Sequence, residues 1–361
     1  MAKNKVDLGC AQLRGTFVLS GKVTGRFSNS FYQEGTGQNG NDWRRVRLGV
    51  EIEPDRIVYL DLFGSTLDNV YFSKTTKGAD GKNKTETKMV KWADRFKTSK
   101  QLFGEDGYRL IGVTCGCKKT LDSKGKEIND RKYLTPFDAC DEVGNLSDGD
   151  SVFIRGNITY STYNDQHRVN FEPVQISLCK EIDFDDVDFQ PNASFTQPIV
   201  VMGVAKNEDT PGEAVVNAKV VNYQSIEDCE LYTRNAGLAK NLKKLGEYVH
   251  IKVWGDIIVD GEVEEVKESA DGWGSANKMD RVASPFKRKL MITGADPESI
   301  DKEAYSEDVI EHALEVIAGI QNAKKDFGKK DDKNDADDWG SKGNSKSNLD
   351  EDEMDDFDLG I

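Results

Sequence analysis

Trp43-Arg44-Arg45-Val46-Arg47-Leu48-Gly49-Val50-Glu51-Ile52 reads as one β-strand with two unlike faces. Successive side chains of a strand point to opposite sides, so Val46, Leu48, Val50 and Ile52 share one face and Trp43, Arg45 and Arg47 the other. The aliphatic row belongs in a core. The opposite row joins a flat ring to guanidinium groups, the parts needed to stack on an unpaired base and meet its phosphates.

The segments around it repeat the arrangement. In Ile57–Phe63, Val58, Leu60 and Leu62 point inward and Tyr59, Asp61 and Phe63 outward. Strands are also expected at Thr16–Phe27, Ser151–Tyr160 and Arg168–Ser177. On the fourth, Val152, Ile154 and Ile158 face inward while Phe153, Arg155 and Asn157 face out; on the fifth, Arg168 and Asn170 oppose Val169 and Phe171. Two segments supply aromatic arms: Asn29–Asn41 with Phe31 and Tyr32, and Tyr160–His167 with Tyr160 and Tyr163. A long insertion separates the third strand from the fourth. It is expected to hold a polar loop (Thr75–Lys88), a short helix (Val90–Phe103) carrying Lys91, Trp92, Arg95, Phe96 and Lys97, a strand (Tyr108–Cys115), and a Lys-rich turn. A helix near Pro136–Leu146 follows. Five strands with a helix between the third and fourth is the order of an OB-fold barrel.

Glu181–Pro198, acidic and with two prolines, is expected to link this domain (residues 1–180) to a second (199–327). Strand patterns resume at Ile199–Lys206, Ala214–Tyr223, Glu230–Thr233, Tyr248–Val259 and Lys289–Gly294, with a helix at Asn235–Leu245. An internal repeat ties the halves together. Gly149-Asp150-Ser151-Val152-Phe153-Ile154-Arg155 matches Gly246-Glu247-Tyr248-Val249-His250-Ile251-Lys252, each copy after a helix and soon followed by Gly-Asn-Ile158 or Gly-Asp-Ile257. Asp301–Phe327 reads as a helix with Val309, Ile310, Ala313, Leu314, Val316, Ile317 and Ile320 on one face. The expected fold is thus mostly β: tandem OB-fold-like barrels, a C-terminal helix, and a disordered acidic tail over 328–361.

A formal charge of −15 argues against a polyanion ligand until its distribution is read. Met1–Lys180 holds 28 Lys+Arg against 23 Asp+Glu, a balance of +5, whereas Glu181–Lys325 stands at −12 and the remainder at −8. A basic first half with an acidic tail fits a polyanion binder carrying its own competitor. The tail ends Asp350-Glu351-Asp352-Glu353-Met354-Asp355-Asp356-Phe357-Asp358-Leu359-Gly360-Ile361, seven acids in twelve residues. Solubility needs no exposed Phe357, Leu359 or Ile361, so Asp355, Asp356, Phe357, Asp358, Leu359 and Ile361 read as bait for a partner with a basic pocket. No apolar run approaches the ~20 residues of a membrane helix, and nothing resembles an export signal, so a cytoplasmic location is expected. Six scattered cysteines suit a reducing compartment. Cys115, Cys117, Cys140 and His167 could supply zinc ligands, but Cys-x-Cys departs from finger spacing, and no metal or cofactor is expected. Phosphate-loop, nucleophile-elbow and metalloprotease motifs are missing, so no enzyme activity is expected.

Trp43, Arg45 and Arg47 on a barrel strand, with the Asp355–Ile361 tip, resemble the single-stranded DNA-binding proteins of bacteria and especially of their phages. The resemblance lies in architecture and tip; the bacterial tip closes Ile-Pro-Phe where this one closes Leu-Gly-Ile. It implies a protein that coats DNA in replication, recombination or repair, with a tip that recruits partners and competes with DNA for the groove; whether the chain forms a homo-oligomer stays open. Two other readings stay open: a phage interaction or DNA-mimic module acting through the acidic half, and a metal-dependent nuclease.

Overall fold

The computed structural model describes residues 8–78, 81–99, 107–163, 166–260 and 287–328. The expected strand from Thr16 is β1 (Gly15–Thr24), with Phe17, Leu19 and Val23 buried. It ends three residues early, leaving Phe27 in a turn. Next come β2 (Tyr32–Thr36), β3 (Asp42–Glu53) and β4 (Arg56–Ser65), an antiparallel meander. Val46, Leu48 and Val50 pair across the ladder with Leu62, Leu60 and Val58, and all six are buried, as the alternation requires. Burying each such side chain contributes roughly 1.5–3 kcal/mol.

The insertion differs from expectation. Thr75–Lys88 is no polar loop: β5 (Asn69–Lys77) and β6 (Asn83–Lys91) form a hairpin, and β7 (Arg109–Leu110) adds a third strand. Its inner face packs Val70, Phe72, Tyr108 and Leu110 into a small separate core, with Val90, Trp92 and Tyr133 against it. The expected helix at Val90–Phe103 shrinks accordingly. Val90 and Lys91 close β6, and the Trp92 amide donates to the Asp68 carbonyl at 2.9 Å, fastening the chain to the hairpin's root. Only a 3-10 turn (Trp92–Asp94) and helical residues 95–99 follow. β8 (Val113–Gly116), β9 (Lys119–Leu121), β10 (Glu127–Asn129) and β11 (Lys132–Leu134) complete the insertion, with β9–β10 a hairpin where a Lys-rich turn was expected. Helix α1 (Pro136–Val143) begins at Thr135, whose hydroxyl accepts from the Asp138 amide at 3.1 Å.

After α1 run β12 (Ser151–Tyr163) and β13 (Gln166–Leu178). The ladder β4–β3–β1–β12–β13, with α1 between its third and fourth strands in sequence, is OB-fold order. β4 and β13 touch, but no ladder joins them among the described residues, so this barrel has a seam; β13 pairs instead with β8.

The second barrel consists of β14 (Asn192–Lys206), β15 (Ala214–Val221), β16 (Ile226–Thr233), helix α2 (Ala236–Leu245), β17 (Val249–Asp260) and β18 (Lys287–Asp301). Here the ring closes. The order β14–β15–β16–β18–β17 returns to β14, with β16 and β18 parallel at Tyr232 and Met291. The repeat found in sequence has a structural meaning. Gly149 and Gly246 both have positive φ and both precede the strand after the helix. The ladder from each of those strands to the fifth strand shifts register just before a glycine, at Arg155/Gly156 and Trp254/Gly255, the fifth strand carrying the extra residue, Val174 or Thr293. A Cβ at either glycine would lie about 2 Å from a fifth-strand carbonyl, 2.1 Å from Glu172 O or 1.9 Å from Met291 O. The protein is therefore mostly β, a tandem of OB-type barrels.

Residues 192–198, expected in the linker, are the first half of β14 and join the barrels. Thr16–Ser20 of β1 pairs with Asn192–Thr196, while Lys22–Thr24 of the same strand pairs with β3. Gln197, fully buried, sits at this junction; its amide donates to Pro198 O at 2.8 Å and accepts from the Tyr160 hydroxyl at 3.2 Å. A Cβ on Gly15 would lie 1.8 Å from the Gln197 oxygen, so only glycine leaves the space. Helix α3 (Glu307–Gly328) starts later than expected and buries Ile310, Ala313 and Ile317, leaving Leu314 exposed. Of the acidic tail, all beyond Gly328, including Asp355–Ile361, lies outside the described residues.

Glu213, just before β15, is buried and accepts from Asn207 Nδ2 at 2.7 Å, Lys289 Nζ at 3.1 Å and Arg234 Nε at 3.3 Å. Burial alone would raise its pKa, but the bonds from Asn207 and Lys289 outweigh that and hold the carboxyl below its ordinary value. Its stabilisation is therefore complete above the unfolded Glu value of about 4.3 and lost as pH falls through the lower folded value. Glu213→Gln, which removes the buried carboxylate that accepts from Lys289 and Arg234, should cost about 3 kcal/mol in urea unfolding at pH 7 and remove this part of the acid dependence.

Candidate nucleic-acid interface

The outer face of the β3–β4 hairpin gathers five of the residues singled out in sequence. Arg45 lies opposite Phe63, Arg47 opposite Asp61, and Gly49 opposite Tyr59. Trp43 and Phe63 stack with centroids 6.2 Å apart and planes 27° from parallel. The indole rests on β2 at Gly35, where a Cβ would come within 3.0 Å of it. Phe63 is 56% and Tyr59 44% exposed. Large rings exposed in this way on a sheet surface, with no helix or strand of the described residues over them, have the form of a stacking platform.

Its cations divide into two kinds. Arg45 is held by Asp61, Nε to Oδ1 at 2.8 Å with a further bond from Nη2, and these bonds raise its pKa. It anchors the sheet more than it offers charge. Arg47 is exposed and no carboxylate is bonded to it among the described residues. Arg288, from β18 of the other barrel, reaches the same place. It donates to the Tyr59 carbonyl on β4 at 2.9 Å and lies 5.6 Å from the Phe171 ring of β13, spanning the seam of the first barrel. Burial, then the neighbouring Arg47 charge, lowers its pKa. Two guanidinium groups from different barrels thus approach one another beside Tyr59, a local excess of positive charge that attracts an anion.

The remaining expected residues separate. Phe31 is buried, with the Arg26 guanidinium 5.6 Å from its ring, and is a core residue rather than an arm. Tyr160 is buried too: β12 runs unbroken to Tyr163, so Tyr160 keeps the inward parity of Ile154 and Ile158. Tyr32 is half-buried and donates to Asp141 of α1 at 2.7 Å; burial and that bond raise its pKa. The side chain of Tyr163 lies outside the described residues. Half-buried Phe153 and exposed Arg155 sit on β12, and exposed Arg168 on β13. In ladder order β1 separates these strands from β3, and Arg168 lies opposite Ser161, six residues along β12 from Arg155, so these residues stand apart from the β3–β4 face and Arg168 apart from the other two. Within the insertion, Arg95 is consumed internally, bonding both Asp138 oxygens at 2.8 Å and lying 4.0 Å from the Trp92 ring; Phe96 stays exposed.

Two exposed groups escaped the sequence reading, and a third was legible only as part of a basic run. Phe27, assigned there to a strand, is 93% exposed in the turn after β1. Trp254 lies exposed on β17 over Gly294, where a Cβ would sit 2.5 Å from Nε1. Arg288 had a signal, the run Lys287-Arg288-Lys289 in an acidic half, but nothing local tells where that run docks. Cys115, Cys117 and Cys140 are buried thiols, and burial pushes Cys140 up to about 12. Among the described residues no group of three or more His, Cys, Asp or Glu is placed to hold a metal, and no helix is long and apolar enough to cross a membrane.

Fold and surface together define a tandem OB-type protein with an aromatic and cationic face. The chain belongs to the YorF family, whose model matches residues 22–330. No curated protein matches it in sequence. Among solved structures it is similar to the wild-type single-stranded DNA binding protein from Thermus aquaticus, at 12% identity and a TM-score of 0.36 over 79% of this chain and 93% of that one. A deletion mutant of the Thermus aquaticus protein gives 11% and 0.35, over 79% and 94%.

Because Asp61 neutralises Arg45, its removal should release a cation onto this face. Asp61→Asn is expected to elute from immobilised heparin at higher salt than the unaltered protein, and Arg45→Gln added to it should abolish the gain.

Proposed function

We propose that this protein is a non-enzymatic binder of single-stranded DNA that coats strands exposed during replication or recombination. The observation that supports the reading best is the β3–β4 face, where Trp43, Phe63 and Tyr59 lie beside Arg47 and are met by Arg288. Each engaged base gains roughly 1–3 kcal/mol from stacking on such a ring. Every base has a flat face, so the expected sequence preference is slight, and phosphate contacts make affinity fall steeply with salt. Phe153 and Arg155 on β12, and Arg168 further along β13, extend the contact. The C-terminal tip recruits replication or recombination proteins, Phe357 and Ile361 filling apolar pockets while Asp355, Asp356 and Asp358 meet a basic rim. The protein acts in the cytoplasm, that of the host if a phage encodes it, and needs no cofactor.

The test is anisotropy of labelled oligothymidylate with Trp43→Ala/Arg47→Ala at two salt concentrations. Loss of one stack and one phosphate contact should weaken binding by about a hundredfold and lower the salt slope by about 0.7. Retention at wild-type strength would dispose of the reading in favour of an interaction module, and Mg-dependent cleavage of the oligomer would favour a nuclease.

A further inference from the structure

The three-stranded sheet of the insertion carries a surface that the function above does not use. In its register Tyr71 lies opposite Met89, and Ile111, whose amide donates to Tyr71 O at 2.8 Å, continues the same rank on the far side. The three form one row across the sheet and are 48%, 63% and 54% exposed. The opposite face is already spent on the Val70–Phe72–Leu110 core, so this one has no partner among the described residues. Period-two alternation puts Lys91 on the row's face at one end and Arg109, opposite Ser73, at the other. Beyond lie the hydroxyls of Ser73, Thr75, Thr85 and Thr87.

Charge indicates what covers the row. By that alternation Lys77, Lys91 and Arg109 share the row's face and Glu86 does not, whereas Lys74 and Lys88 lie on the core side against the Tyr108 ring. A second copy of the chain is disfavoured, because β6, the outer strand, lines its open edge with Lys84, Lys88 and Lys91, the arrangement that prevents edge-to-edge pairing. A polyanion that also offers flat apolar faces satisfies both the cations of this face, Lys77, Lys91 and Arg109, and the row. We infer that the Met89–Tyr71–Ile111 face is a second single-stranded nucleic-acid platform, with Tyr71 stacking on a base and Lys91 and Arg109 bracketing it on the phosphates. The inference rests on the function proposed above and extends the bound strand beyond β3–β4; the chain passes from Phe63 through exposed Leu67 to Tyr71 in eight residues.

The test uses the full chain with two oligothymidylates, one of about eight nucleotides, within what one barrel holds, and one about three times longer. Tyr71→Ala/Met89→Ala should weaken the longer oligomer about tenfold and leave the shorter unchanged, and Lys91→Gln/Arg109→Gln should lower the salt slope by about 1.4 for the longer alone. All four positions are exposed, so both variants should fold; circular dichroism checks this. If both variants bind both lengths as the unaltered protein does, the inference fails while the proposed function stands. If the unaltered protein binds neither length, both fail. Dissociation of a dimer by Tyr71→Ala/Met89→Ala, with oligomer binding intact, would make the face a self-association surface and likewise overturn the platform.

Discussion

Strand β1 holds the molecule together by splitting its backbone partners. One flank pairs with β12 along its length. The other is divided, Thr16–Ser20 to the second barrel and Lys22–Thr24 to the first. A main-chain ladder between barrels fixes their relative rotation far more tightly than side-chain packing would, since each amide must meet its carbonyl within a few tenths of an ångström. Gln197 secures that register by saturating the polar groups where the strands diverge. Only with the barrels so fixed can Arg288 reach Tyr59 and stand beside Arg47.

Counting arginines on the β3–β4 face overstates its usable charge. Arg44 stacks 4.1 Å from Phe137 and bonds Asp141 at the barrel's end, and Arg45 is committed to Asp61. Arg47 and Arg288 remain, drawn together although like charges repel, by the Tyr59 carbonyl and by strands that cannot move apart. Burial and then the Arg47 charge lower the Arg288 pKa, as expected where like charges are held near one another.

The parts of the fold legible in sequence are those where one face is buried. Val46 to Ile52 and Val58 to Leu62 betray their strands because an aliphatic row alternates with polar residues. The Gly149 and Gly246 echo is legible because both barrels must turn and bulge at the same point. β6 was illegible: nearly every side chain from Asn83 to Lys91 is exposed, so neither parity is apolar and the strand is held by its hydrogen bonds to β5. The start of β14 was masked by Pro191 and Pro198 and by acidic neighbours, although Ala193 and Phe195 alternate inward. In the site, parity placed Trp43, Arg47, Tyr59 and Phe63 correctly. It also placed Tyr160 inward, once the strand is known to continue past it. The pairing of Arg45 with Asp61 follows from adjacent register positions, but Arg288 depends on tertiary docking that no local pattern encodes.

The first barrel's seam has a consequence for dissecting the molecule. A fragment ending near Lys180 would lack the strand that covers half of β1 and the guanidinium that spans β4 and β13. It would display unpaired amides and carbonyls along Thr16–Ser20 and leave the Tyr59 carbonyl without its Arg288 donor. Such a fragment is prone to clump with its own kind, and its poor behaviour would reflect the cut rather than any weakness of the amino-terminal fold.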